Sequence, residues 1–427
     1  MDITITLILF ITLFTFIAIG IPIVFSIGMS VMIVSLYVAF DPTFIVQKMV
    51  AIFAHFSLDA ILLFVLMGTV LSQGGATRVI VDAIESLVGN IRGGLGIVTV
   101  WACAAFGTVT GSAIATAAAI GSVMLPEMRE RGYEASFAAA LVAAGSPLGQ
   151  MIPPSITAII YGVICRVSIG KLFLALVVPG IFLAIILSIG IYIMARRKGL
   201  AGAARKFTGK DKLRLCLRAS PGLSIPVIVI YGIYGGVFTP TEAGAVCVLI
   251  AVLLIGTVYR DRERPFFTCL KEGLFQGAMI TSVVMVIIAV STAWSYFLSV
   301  QQIPRTVAFA LVGFSRNPIV ILLLLNLLMI ILGTFMEGGA ITIMIAPVLV
   351  LVLPELGISF VHFGVLLVLN LMIGNLTPPV GVVLYVTAGL AKDLKFGAIC
   401  KAILPFILIE IGVLLVITLF PQMIPGR

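Results

Sequence analysis

A chain of 427 residues with 61% apolar and only 10% charged side chains, at a mean hydropathy of +1.28, cannot cover a water-exposed surface; soluble domains carry roughly 25% charge. The formal net charge of +9 would suggest nucleic acid in a soluble protein, but the cations sit in short loops between apolar runs and no nucleic-acid-binding motif accompanies them. The six cysteines show no paired spacing, so neither a disulfide framework nor a metal site is implied.

The first uncharged run covers residues 3–40. Asp2 precedes it in place of a basic leader, so it is expected to be a retained first span and not a cleaved signal peptide. Further runs follow at 93–126, 135–165, 172–195, 219–241, 273–304 and 356–391, the last with His362 as its one titratable group. A bilayer core needs about 20 apolar residues per helical span, so these runs hold on the order of ten crossings or partial crossings. They lack the polar face that a soluble helix or strand would show at its own period. The expected fold is an all-α polytopic membrane protein.

Between the runs, the basic stretch 196–218 and the trio Arg260, Arg262 and Arg264 are loops that the positive-inside rule assigns to the cytoplasm. Segments 220–235 and 241–258 then form a helical pair turning outside near Gly235-Gly236, and both chain termini fall on the periplasmic side. Arg166 and Lys171 also fall outside, against the charge rule.

The chain repeats itself about this basic stretch. Gly107-Thr108, a small-residue tip at 111–113 and Pro153-Pro154 are answered by Gly333-Thr334, Gly338-Gly339-Ala340 and Pro378-Pro379. Gly107 to Pro153 is 46 residues and Gly333 to Pro378 is 45; Arg78 precedes Gly107 by 29 and Arg305 precedes Gly333 by 28. We therefore divide the chain into a first repeat (1–195), a basic cytoplasmic linker (196–219) and a second repeat (220–427). A shared inner boundary makes the two repeats run in opposite senses, as in many secondary transporters with midplane sites at the repeat interface.

Residues 356–391 as one helix would be roughly 54 Å long, too long for the bilayer core. Gly374, Pro378, Pro379 and Gly381 must therefore break it. Proline removes an amide donor, and carbonyls freed in the membrane survive only inside protein or around a polar cavity. Such oxygens suit a small cation, here and at 149–154; a kink packed by its neighbours is the plainer alternative. Thr108, Thr110, Gly111, Ser112, Thr116 and Ser122 fit either close helix packing or a re-entrant hairpin facing a solute, and their match to 338–342 favours the hairpin. Glu337 is a costly carboxylate inside apolar sequence, by default a pathway or ion-site residue, with a structural salt bridge as the alternative. Glu242, in Thr239-Pro240-Thr241-Glu242, matches a helix capping box. His55 and His362 lack metal-ligand spacing, and no phosphate loop is present.

These residues resemble the large membrane (permease) subunit of the tripartite ATP-independent periplasmic (TRAP) transporters over essentially the whole chain. The likeness rests on residues 111–121 (GSAIATAAAIG), 126–133 (PEMRERGY), 152–155 (IPPS), 235–246 (GGVFTPTEAGAV) and 370–381 (NLMIGNLTPPVG). It implies an elevator-type carrier in the bacterial or archaeal inner membrane, each inverted repeat contributing a re-entrant helical hairpin and a broken helix to a mobile domain. It also implies sodium-driven uptake of an organic acid, of the sialic acid or C4-dicarboxylate class, with no enzymatic activity and no organic cofactor. The implied partners are a separate four-helix membrane subunit, a periplasmic substrate-binding protein and membrane lipid, with no nucleic acid. Carried over by position, one sodium site involves Ser112, Gly149, Ile152 and Pro154, and the other Glu337, Gly374, Thr377 and Pro379. Thr110, Ser112, Thr157, Gly338 and Gly339 are the expected substrate contacts. The family commonly has Asp at the position of Glu337 and Ser at that of Thr110. A stand-alone sodium/dicarboxylate symporter, which needs no binding protein, is the nearest rival.

Overall fold

The computed structural model describes residues 3–54, 58–200, 207–259, 265–303, 313, 315, 317–336, 338–391 and 393–426. Among them are α-helices and short 3₁₀ turns but no strand. In the first half the helices are α1 (Ile3–Ala18), α2 (Ile23–Tyr37), α3 (Thr43–Ala51), α4 (Asp59–Gln73), α5 (Ala76–Val88), α6 (Gly94–Thr110), α7 (Ala113–Glu130), α8 (Ala135–Gly145), α9 (Leu148–Met151), α10 (Ile156–Ile164) and α11 (Ile169–Arg197). The second half has α12 (Gly209–Leu223), α13 (Ile225–Tyr234), α14 (Pro240–Gly256), α15 (Phe266–Val300), α16 (Pro318–Phe335), α17 (Gly338–Glu355), α18 (Phe360–Leu376), α19 (Val382–Leu390) and α20 (Phe396–Leu419).

Among the described residues five stretches are long and apolar enough to cross a bilayer: Ala135–Ile164, Ile169–Arg197, Gly209–Tyr234, Phe266–Val300 and Phe396–Leu419. Two bent pairs, Thr43–Ala54 with Asp59–Gln73 and Gly338–Ala346 with Val348–Glu355, raise the number to seven if each is one span. Large apolar side chains such as Leu249, Leu253, Phe275 and Leu408 stay exposed on outer faces, as a lipid solvent allows and water does not.

Local sequence explains where elements start. Thr239 and Glu242 form the expected capping box of α14: Glu242 N donates to Thr239 Oγ1 at 3.3 Å, and Thr239 N donates to Glu242 Oε2 at 2.8 Å. The basic stretch is more structured than a linker. A second capping box, Thr208 with Asp211, begins α12 inside it, and Ala219 and Gly222 are tied to the Tyr259 hydroxyl, which donates to the Ala219 carbonyl at 3.2 Å and accepts from Gly222 N at 2.9 Å. The sequence reading took it only as a basic linker, because the tyrosine that receives Gly222 lies 37 residues later in the chain.

The order α6, α7, the broken stretch α8–α10 and α11 has a counterpart in α16, α17, the broken stretch α18–α19 and α20. Each series is a helix, a tight tip, a second helix, a long broken segment and a final long helix. Around them, α4 packs on α14 and α15. The approach is close because Gly273 lies against Val70, where an added methyl would sit 2.8 Å from the Val70 Cα.

Candidate functional site

The first tip is made by a change of backbone hand. Helix α6 ends at Thr110, Gly111 takes φ +63°, and Ser112 is extended and caps α7 by accepting from Ala115 N at 3.4 Å. A methyl on Gly111 would lie 2.7 Å from the Pro154 carbonyl oxygen, so glycine serves both the turn and the contact. Thr110 Oγ1 and Thr116 Oγ1 share a hydrogen bond of 2.9 Å beneath it.

The first break faces this tip. Helix α9 stops at Met151, Ile152 is extended, Pro153-Pro154 is a cis peptide, and Ser155 restarts α10 by accepting from Ala158 N at 3.3 Å. Gly149 lies where a methyl would be 2.5 Å from Thr116 Oγ1 and 3.2 Å from the Ser112 carbonyl oxygen. A methyl on Gly107 would overlap the Gly149 Cα. Of the first proposed sodium set, Ser112, Gly149 and Pro154 therefore converge on a small volume with carbonyl and hydroxyl oxygens at its edges. Ile152 adjoins them in the break, and a methyl on Gly180 would lie 3.0 Å from its Cγ1.

The second tip and break repeat the plan. A methyl on Gly374 would be 2.6 Å from the Gly333 Cα. Helix α18 ends at Leu376, Thr377 turns extended, Pro378-Pro379 is cis, and Gly381 (φ +59°) donates to the Thr334 carbonyl at 3.1 Å. The carbonyl oxygens of Asn375 and Thr377 lie 3.1 and 3.2 Å from a methyl placed on Gly381. Unlike Pro154, Pro379 is exposed. Gly338 and Gly339 are buried at the start of α17, and a methyl on Gly338 would lie 3.7 Å from Thr157 Oγ1. Glu337 lies outside the described residues.

A cavity of about 590 Å³ opens beside the first tip. Thr110, Gly111 and Ser112 of the tip, Gln150 and Thr157 of the break, and Thr69, Ser72 and Gln73 of α4 with Gln276 of α15 supply its polar lining. Three expected substrate contacts, Thr110, Ser112 and Thr157, thus meet in one place. Gly338 and Gly339 are not among the residues that line it. Of the other hydroxyls in the tip stretch, Thr108 donates to the Ala105 carbonyl, Thr116 bonds Thr110, and Ser122 donates to the Ala119 carbonyl on an exposed face. The described lining carries no charged side chain.

Among the described residues no three His, Cys, Asp or Glu side chains cluster to hold a metal. Among the described residues, a cation held at the first break would meet neutral oxygens, a ligand type hard cations take.

Sequence reasoning missed Gln150, although a lone carboxamide between Gly149 and the proline pair was its signal. It also missed the glutamines Gln73 and Gln276, hydrogen-bonded at 2.9 Å, which become neighbours only when α4 meets α15. A third miss is Glu410, buried in α20 with no hydrogen-bond partner for either carboxyl oxygen. Elsewhere in the core Asn370 donates to Asn326 at 2.8 Å and Asn326 to Thr418 at 2.9 Å, while Asn370 Oδ1 is itself buried with no partner.

A family model described as "Tripartite ATP-independent periplasmic transporter, DctM component" matches residues 10–423. The isethionate TRAP transporter permease protein DctMQ of Oleidesulfovibrio alaskensis is 35% identical over 95% of this chain, which spans 64% of that longer relative. The C4-dicarboxylate TRAP transporter large permease protein DctM of Pseudomonas aeruginosa is 38% identical over 86% of this chain and 85% of its own length. The sialic acid TRAP transporter large permease protein SiaM of Vibrio cholerae is 38% identical over 89% of this chain and 88% of its own. In fold, the chain resembles the YdaH transporter of Alcanivorax borkumensis, with a TM-score of 0.61 at 14% identity, covering 88% of this chain and 87% of that one.

Proposed function

The chain belongs to the DctM component of the tripartite ATP-independent periplasmic transporters, and we propose that it is the subunit through which an organic acid, delivered by a periplasmic binding protein, enters with sodium. It is a multi-pass membrane protein and a transporter, not an enzyme. The observation that supports a solute site is the cavity beside the first tip, walled by α4 and α15 on one side and by hairpin and break residues on the other. The relatives' names suggest C4-dicarboxylate, sialic acid or isethionate as substrates.

In this reading the inverted repeats 1–195 and 220–427, joined by the cytoplasmic stretch 196–219, each contribute one hairpin to a domain that moves as an elevator against α4, α14 and α15. Ser112, Gly149, Ile152 and Pro154 hold one sodium; Glu337, Gly374, Thr377 and Pro379 hold the other. The convergence of oxygens at Gly111, Gly149 and Gly381 supports the pair. A small four-helix subunit braces the static helices.

Reconstitution tests this. The chain with its small subunit, in proteoliposomes, should accumulate the acid only with an inward sodium gradient and the binding protein outside. Uptake unchanged without sodium would sink the coupling. Uptake unchanged without the binding protein would point to a stand-alone sodium/dicarboxylate symporter.

A further inference from the structure

Helix α17, the second helix of the second hairpin, carries Pro347 in its interior. Proline has no amide hydrogen to give the carbonyl four residues before it, so the Ile343 carbonyl loses its intrahelical donor. The helix bends by 61° here, between Gly338–Ala346 and Val348–Glu355. Ile343 is buried, and a buried carbonyl without a donor is costly. Ser295 of α15 supplies one: its Oγ donates to the Ile343 carbonyl at 2.9 Å.

Neighbouring hydroxyls of α15 are used differently. Ser282, Thr292 and Ser299 each donate to a carbonyl one turn back in α15 itself, the usual resort of a serine or threonine inside a helix. Ser295 instead reaches out of its helix to a hairpin 48 residues further along the chain. The bond ties an element that the proposed mechanism holds still to one that it moves.

The level of the bond along α15 sets which state it favours. The α15 residues that line the cavity run from Gln276 to Ile287. Ser295 lies roughly 12 Å beyond Ile287 along the helix axis, on the side away from the basic loop 260–264. In the proposed orientation the cavity reaches toward the cytoplasmic ends of α4 and α15, where Gln73 meets Gln276, and the Ser295 bond lies on its periplasmic side. A slide of the hairpin by one helical turn, about 5.4 Å, carries the Ile343 carbonyl out of reach of the Ser295 hydroxyl.

We propose that Ser295 is a positioning residue of the transport cycle: its hydroxyl latches the second hairpin to α15 through the carbonyl that Pro347 leaves free, and so favours the cytoplasm-facing state over the periplasm-facing one. This rests on the reading of the two hairpins as a domain that moves against α15.

The test uses the complete complex of this chain and its small subunit in lipid nanodiscs, with nitroxide labels on Glu130→Cys and Val237→Cys in a chain otherwise free of cysteine. Glu130 ends α7 on the moving domain, Val237 precedes the static α14, and both are exposed. Double electron–electron resonance, with and without sodium, should read the two states as two distances. Ser295→Ala should shift their ratio away from the cytoplasm-facing state roughly threefold to tenfold. Ser295→Thr, which keeps the hydroxyl, should stay near the wild-type ratio. Ser299→Ala, which removes a hydroxyl bonded within α15, should leave the ratio unchanged, whereas a general loosening of the helix would move it too. An unchanged ratio in Ser295→Ala, or a shift as large in Ser295→Thr or Ser299→Ala, overturns the latch while leaving the moving domain intact. A single distance in every variant and condition overturns both.

Discussion

At the residue scale, the two glycine crossings decide most about the site. Gly107 against Gly149, and Gly333 against Gly374, bring the incoming helix of each hairpin onto the segment just before its proline pair. A side chain at either crossing must push two backbones apart. Gly149→Ala should therefore destabilise the purified complex by about 1–3 kcal/mol and reduce uptake at the same time; thermal unfolding and a flux assay on one preparation would separate this from a purely local effect. Glu337 makes a different prediction. A fixed anion helps offset a cation's lost hydration in a low-dielectric setting, so Glu337→Gln should raise the sodium requirement or abolish uptake while assembly with the small subunit survives. Glu337→Asp should keep much of the activity. Normal sodium dependence in the glutamine variant would make the residue structural. Ser112 was legible as part of a small-residue tip, because glycine and serine stand out in apolar sequence. Gln150 was not, because a glutamine's meaning depends on what remains unbonded around it after folding.

Elements are held by contacts of ordinary size, and two of them can be tested apart from transport. Thr239 caps α14 and exchanges hydrogen bonds with Glu242, so Thr239→Ala should cost about 1 kcal/mol of stability without changing the sodium dependence of uptake. Differential scanning calorimetry of the variant would show the first and flux the second. Arg129, in the last turn of α7, pairs with Asp393 beyond α19 at 2.9 Å, joining the first hairpin to the segment after the second break. The hydrogen bond from Arg129 holds the Asp393 carboxyl below the usual aspartate range. Its folded value is depressed, so the link is intact above the ordinary value of about 4 and is lost as pH falls through the lower folded value. Proteolysis of the 391–395 loop should therefore speed up on strong acidification, and Asp393→Asn should show that faster cleavage already at neutral pH. The capping box could be read in advance because it spans four consecutive residues. The ion pair could not, because 264 residues separate its partners.

At the scale of the whole molecule, charge distribution and repeat geometry make the remaining predictions. If residues 196–218 and 260–264 lie in the cytoplasm and both termini in the periplasm, Cys216 in a background otherwise free of cysteine should react with a permeant thiol reagent and resist an impermeant one in intact cells. Labelling from outside would overturn the orientation. Two symmetry-related breaks, each with carbonyl oxygens gathered at a glycine, lead us to expect more than one sodium per substrate. The sodium dependence of uptake should show a Hill coefficient above one; a value of one with electroneutral transport of a singly charged acid would argue for a single site.

Composition alone determined that this chain lives in lipid, because too few charged side chains exist to make a surface for water. The two proline pairs determined where its long apolar runs break, because adjacent prolines withhold two successive amide donors and bias the residue before them away from the helix. These properties are local or periodic, so they are written along the chain. Only the tertiary structure decided which side chains share the cavity: α4 and α15 bring Thr69, Gln73 and Gln276 against a tip and a break that are distant from them in sequence. The same holds for the carboxyl of Glu410, sealed in α20, since burial and satisfaction of a polar group are properties of its neighbours and not of its own position in the chain.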